Sequence, residues 1–164
     1  MERQSWLKPL RHSTSGTLTD RQVGRRGLCF VDTSAWVSMA VASESSHTRV
    51  RAALRERQGR LLTTDHVLQE TWSVMKHRHD RFVAETAVNA IRRGNARVEA
   101  SLLGDLEAAA AIGLAFSDQD FSLADRTSWA VMERLGITEA VTLDRDFRVY
   151  RYGPRRRRAF RIAP

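Results

Sequence analysis

The sequence predicts an α/β protein built on a parallel sheet flanked by helices, and two observations carry this. Short, apolar, β-favouring runs alternate along the chain with longer segments of helical spacing, the order that a parallel sheet with crossover helices requires. Two of those runs, at 28–31 and 140–143, lead straight into an aspartate, Asp32 and Asp144. Both carboxylates then stand at the carboxyl edge of the sheet, where open α/β folds bind ligands.

Taken in order, residues 1–27 mix Ser, Thr, Gly and Arg without periodicity and read as a disordered basic extension ahead of a single domain at 28–164. One reading of them is an over-long gene model whose true start lies near Val23 or Leu28; mass spectra showing an intact Met1 terminus would exclude it. The first strand covers 28–32, with Thr33 or Ser34 opening a short helix, Ser34 to Val41. A more polar helix follows at Ser46 to Gln58, stopped near Gly59, and then a strand at Arg60 to Thr63. Thr64 or Asp65 caps a third helix reaching His79, whose buried side is Val67, Leu68, Thr71, Trp72, Val74 and Met75. Glu70 falls on the margin of that face, either passing the core or pointing into a cleft.

A fourth helix runs from Arg81 to Arg93 and is ended by Gly94, and Ala96 to Ala100 is a strand. The alanine-rich stretch Leu102 to Phe116 is a helix suited to close packing. After the acidic turn 117–120 comes a helix from Ser122 to Leu135 with Gly136 beyond it, then the strand 140–143. Past Asp146 and Phe147 the pattern dissolves into Tyr and Arg, with Phe160 to Ile162 a short last strand. Trp36, Trp72 and Trp129 lie in apolar helical stripes and are expected in the core.

Composition narrows the function. One cysteine, Cys29, excludes an internal disulfide, and its place in the first strand makes it a small buried hydrophobe. The longest apolar run, Ala108 to Phe116, is far short of the ~20 residues of a membrane span, and residues 1–27 are too polar for a signal peptide. A cytoplasmic protein with no membrane attachment is expected. The net charge of +8 is unevenly placed: six basic and two acidic residues in 1–27 give +4, seven arginines and no acid in 148–164 give +7, and the body between is left at −3. Basic ends around an acidic centre suit a phosphate polymer acted on at a metal site, although solvated tails give the same totals.

Four carboxylates from four separated elements, Asp32, Glu70, Asp125 and Asp144, can converge on one cleft. Crowded like charges raise one another's pKa and need a cation, and oxygen-only ligands suit Mg²⁺ or Mn²⁺. Such an ion supports phosphodiester hydrolysis by activating water and offsetting phosphoryl charge. Each residue has a structural alternative: Asp32 as a helix cap, Asp125 as the acid of a Ser122–Asp125 capping box, Asp144 as a turn former. Thr33, Ser34 and Ser128 can orient a carboxylate or bind phosphate. Asp146, with Asp118 and Asp120, is a loop acid able to add an auxiliary contact. His66, His77, His79 and Cys29 lack zinc-site spacing, and no nucleophile elbow, Walker loop or dinucleotide fingerprint occurs.

Five blocks carry a family likeness: Phe-Val-Asp-Thr-Ser at 30–34, Leu-Gln-Glu-Thr at 68–71, Phe-Ser-Leu-Ala-Asp-Arg-Thr-Ser at 121–128, Val-Met-Glu-Arg-Leu-Gly-Ile at 131–137 and Thr-Leu-Asp-Arg-Asp-Phe at 142–147. In this order and spacing they resemble the PIN-domain family, and within it the VapC-type toxins of bacterial toxin–antitoxin pairs. The resemblance implies a PIN-like parallel five-stranded sheet flanked by helices, with Asp32, Glu70, Asp125 and Asp144 holding Mg²⁺ or Mn²⁺. It implies an endoribonuclease that cuts loops of tRNA or rRNA to arrest translation, forms a homodimer and is neutralised by a VapB-type antitoxin. The run Arg155, Arg156, Arg157 and Arg158 has no assigned role in the family pattern and is expected to dock RNA. Two other readings stand beside this one. A non-catalytic RNA-binding or regulatory module of PIN fold is disfavoured by the complete acidic set. A phosphatase of another α/β family is disfavoured by Ser34, where a second aspartate is expected.

Overall fold

A computed structural model describes residues 27–164; the segment read as a disordered extension, all but Gly27, lies outside the described residues. Five strands form one sheet: β1 (Cys29–Val31), β2 (Leu61–Thr64), β3 (Arg97–Glu99), β4 (Glu139–Val141) and β5 (Arg161–Ala163). They pair in the order β3-β2-β1-β4-β5, every pairing parallel. Seven helices flank the sheet among the described residues: α1 (Thr33–Ala40), α2 (His47–Glu56), α3 (Asp65–Arg78), α4 (Arg81–Ala90), α5 (Leu103–Ala115), α6 (Leu123–Arg134) and α7 (Asp146–Val149). None of these helices is long and apolar enough to cross a membrane.

The chain steps outward from β1 through β2 to β3, then returns to place β4 on the other side of β1. The strand order therefore reverses between β1 and β4, and a crevice opens at their carboxyl ends. β1 and β2 are buried along their whole length, which is why their sequences are nearly continuous apolar or threonine runs. Three of the helices, α1, α3 and α6, start on side-chain caps that belong to the cleft side of the fold: Asp32 accepts from the Ser34 amide, Thr64 from Val67, and Ser122 from Asp125. Each cap satisfies an amide that the first helical turn leaves without a backbone partner.

One core cluster fills the space around the sheet and holds the aromatic group Phe30, Phe121, Trp129, Phe147, Tyr150 and Phe160. Trp129 stacks on Tyr150 with ring centroids 4.2 Å apart and meets Phe147 edge-on. A second cluster, Val37, Ala40, Met75, Ala84 and Ala87, glues α1, α3 and α4 together. Cys29 is fully buried, and burial pushes its thiol up to about 12, so it packs as a small hydrophobe.

Four sequence expectations are adjusted. β4 ends at Val141, so Asp144 stands three residues past the strand and not at its last position. The helix expected over Arg81 to Arg93 ends at Ala90 and passes into a wider turn at Ile91–Asn95, where Gly94 supplies a φ of 130°. The segment after Asp146 contains the four-residue helix α7, held by the buried Phe147. Trp72 is half-buried at the surface between α3 and α4, with its indole N–H donating to Glu85 and Lys76 lying over its ring.

The far edge of the fold is pinned by charge. Arg134 on α6 donates through Nε and Nη2 to the two oxygens of Asp105 at 2.8 and 2.9 Å, and through Nη1 to Glu99 at 3.1 Å. The Asp105 side chain is only 3% exposed, and it also accepts from the Leu102 amide, capping α5. Removing the guanidinium strands a buried carboxylate. Arg134→Met is expected to cost about 2 kcal/mol, read as a lower urea midpoint at unchanged slope; an unshifted midpoint would make the pair a surface ornament.

Candidate active site

The crevice at the switch point is a cleft of about 460 Å³, lined by Asp32, Glu70, Asp125 and Asp144 together with Asp146, Asp120 and Glu44. Its carboxylates come from the end of β1, the second turn of α3, the first turn of α6 and the loops around β4 and α7, with Glu44 between α1 and α2. One oxygen from each of Asp125, Asp144 and Asp146 lies within 4.8 Å of the other two.

Each acid of the quartet is held by a hydroxyl or amide, some from the same turn and some from a distant element. Asp32 is 5% exposed, and its Oδ2 accepts from the Ser34 amide at 3.2 Å, the Ser34 hydroxyl at 2.6 Å and the Thr142 hydroxyl at 2.9 Å. Ser34 Oγ in turn accepts from the Leu143 amide at 2.9 Å, so β1 and the loop after β4 are sewn together at this carboxylate. Thr33 donates to Glu70 Oε2 at 2.6 Å, bringing the glutamate in from the margin of α3. Ser122 caps α6 and donates its hydroxyl to Asp125. Asp144 Oδ1 accepts from the Asp146 amide at 2.9 Å, the hydrogen bond of an Asx turn.

The charges strain against one another. Burial raises the Asp32 carboxyl above its ordinary value, outweighing the hydroxyl and amide donors that favour the ion. Asp125 is raised to about 7, first by burial and then by the charges of Asp32, Asp144 and Glu70, with the Ser122 hydrogen bond opposing. Asp146 is raised by burial and by Asp144 and Asp120. An all-oxygen set whose members repel one another fits a hard divalent cation, which removes the repulsion and leaves carboxylates to ligate it.

Of the other residues singled out in the sequence, Ser128 is buried in α6 and is not among those lining the cleft. Arg155 and Arg156 both have positive φ, 56° and 51°. Arg156 lies over the Phe116 ring at 4.6 Å and donates to the Ala115 carbonyl, so its guanidinium is committed to the fold. Arg155, Arg157 and Arg158 are exposed, and the Arg158 backbone pairs with Tyr152. Capping and site presentation coincide: Asp32 caps α1, and Asp125 pairs with its cap Ser122, while both line the cleft.

Sequence reasoning passed over Thr142, Glu44 and Arg78. Thr142 is buried and both donates to Asp32 and accepts from the Asp144 amide at 2.9 Å. Its signal was Thr-x-Asp at a strand end, the spacing of a hydroxyl that bonds the backbone two residues on. Glu44 and Arg78 carried no local signal, since only the tertiary fold brings them to the cleft.

The family model described as PIN domain matches residues 29–151. The protein named 23S rRNA-specific endonuclease VapC20 from Mycobacterium tuberculosis (strain CDC 1551 / Oshkosh) is 35% identical over 122 residues, covering 73% of this chain and 92% of that protein. Its counterpart from strain ATCC 25618 / H37Rv matches to the same extent. The crystal structure of M. tuberculosis VapC20, described as a sarcin-ricin loop cleaving toxin, superposes with a TM-score of 0.70 at 31% identity, over 74% of this chain and 93% of that one. With the family match running from β1 through the cleft to Arg151 and a relative alike over nearly its whole length, the chain belongs to the PIN domain family.

Proposed function

We propose that this chain is a divalent-metal-dependent endoribonuclease toxin of VapC type, acting in the cytoplasm on ribosomal RNA and neutralised by a VapB-type antitoxin. The observation that carries the reading is the cleft itself: carboxylates from separate elements face one crevice at the switch point, in a chain 35% identical to a 23S rRNA-specific endonuclease. Asp32, Glu70, Asp125 and Asp144 hold the ion, with Asp146 beside them as an auxiliary. A bound Mg²⁺ or Mn²⁺ supplies Lewis-acid stabilisation of phosphoryl charge and a lowered pKa for water. The chain's own part is placement. Ser34 and Thr142 fix the rotation of the Asp32 carboxylate, Thr33 holds Glu70, and Ser122 holds Asp125. The unit at 28–164 is one domain, the exposed Arg155, Arg157 and Arg158 meet the RNA backbone, and the working form is a homodimer.

The test is to incubate the purified chain with total RNA in Mn²⁺ and in EDTA and to sequence the new RNA ends. A single dominant cut in 23S rRNA, within the sarcin-ricin loop and dependent on Mn²⁺, is the expected result. Cleavage confined to tRNA would move the substrate. The absence of any metal-dependent end would remove the enzyme reading altogether.

A further inference from the structure

An acidic cleft is a poor receptor for a polyanion. Seven carboxylates line this one, and among the described residues lining it Arg78 is the only cation. Glu70, Val74 and Arg78 follow one another at intervals of four along α3 and all reach the cleft, so this helix presents a single stripe to it. Eight residues of helix separate Glu70 from Arg78 by about 12 Å. That distance sets Arg78 apart from Glu70, and its exposure puts it at the solvent-facing mouth of the cleft beside Glu44.

The guanidinium is lightly held there. Its ion pair with Glu44 is long, 3.9 Å, and the two side chains are 62% and 39% exposed. A contact of that kind is worth little and is given up at little cost. Glu44 is better fixed than its partner. It sits in a tight turn, with its amide on the Val41 carbonyl and its carbonyl taking the His47 amide. The turn is closed by Ser38 against Ser46 and by the His47 ring on the Ser38 carbonyl. Lys76, a neighbouring cation on α3, is engaged over Trp72, and His77 lies against the Ser73 carbonyl. Arg78 is thus the group on this helix that is both poised at the cleft and free to leave its partner.

We propose that Arg78 is a substrate-binding residue that grips an RNA phosphate flanking the scissile one, and that Glu44 holds it at the cleft mouth until RNA competes it away. This rests on the ribonuclease reading and names how that site receives its substrate. Arginine suits the role because its planar fork matches two phosphate oxygens at once.

The test uses the full chain carrying Asp32→Asn to prevent turnover, in Mn²⁺, with a fluorescein-labelled sarcin-ricin loop hairpin followed by anisotropy across a salt series. Arg78→Ala is expected to weaken binding roughly 10-fold and to reduce the slope of log K against log salt by about 0.7–0.9, as befits one fewer neutralised phosphate. Arg78→Lys should restore the slope while recovering only part of the affinity, and Glu44→Gln should tighten binding. In the chain with Asp32 intact, Arg78→Ala should raise KM more than it lowers kcat. If Arg78→Ala leaves both affinity and slope unchanged while the parent binds, the phosphate grip is overturned and the ribonuclease reading stands. If the parent itself fails to bind the hairpin, the grip on this RNA is overturned, and the ribonuclease reading is decided separately by the cleavage of total RNA.

Discussion

Asp32→Asn is expected to lower metal-dependent RNA cleavage by about 10²–10³-fold or more without unfolding the protein. The substitution keeps the shape of a side chain that is almost wholly buried and caps α1, and the amide oxygen can take over acceptance from Ser34 and Thr142. What it removes is one negative charge at the point where β1 and the loop after β4 meet. Because burial already works against that charge, the metal-free variant should melt no lower than the parent at pH 8. End-mapped cleavage of total RNA read beside thermal melts tests both halves. Full cleavage by a folded Asp32→Asn protein would sink the assignment.

The second large effect couples protons, metal and stability through Asp125. Its carboxyl titrates near 7 in the folded protein against an ordinary 3.8. Between those values the folded state binds more protons than the unfolded state, so this group's contribution to stability falls as pH rises from about 4 to about 7 and is flat beyond. Asp32 and Asp146, also raised, act in the same direction. The metal-free chain should therefore lose stability relative to Asp125→Asn over that window. Asp65, Asp105 and Glu139, whose carboxyls are held below their ordinary values, contribute the opposite slope at lower pH in both proteins and cancel in the difference. Mn²⁺ at about a hundredfold excess over its dissociation constant should then add about 2.7 kcal/mol at pH 8. Most of that gain should vanish at pH 5, where protons hold the ligands. Melts at pH 5, 6.5 and 8, with and without Mn²⁺, check the sign; a metal gain that is the same at all three would disconnect Asp125 from the ion.

Much of the fold was legible because local and global signals agree in this chain. The run before Asp32 reads as a strand buried on both faces, and Thr64 and Ser122 announced helix starts by their own chemistry. Glu70 was legible as an anomaly, an acid on the edge of an apolar stripe. The parts that escaped are those where a long-range contact decides. A four-residue helix such as α7 has too few turns to show a period and exists because Phe147 is buried against Phe30 and Trp129. Trp72 looked like core because its spacing fits, yet α4 covers only part of its ring. Thr142 shows in the sequence only its bond to the backbone two residues on; its reach to Asp32 exists once β4 lies beside β1, and Arg78 and Glu44 join the site once α3 faces the turn after α1.

The reversal of strand order between β1 and β4 also sets when the site can exist. β1 needs Glu139, Ala140 and Val141 as pairing partners, more than a hundred residues downstream, and Asp144 follows only after them. Loop closure over that separation comes late in folding, and on a ribosome the amino-terminal elements emerge first. A nascent chain carries Asp32 and Glu70 long before it can assemble the cleft. The cleft is thus among the last parts of the fold to be assembled, a delay that comes from topology alone.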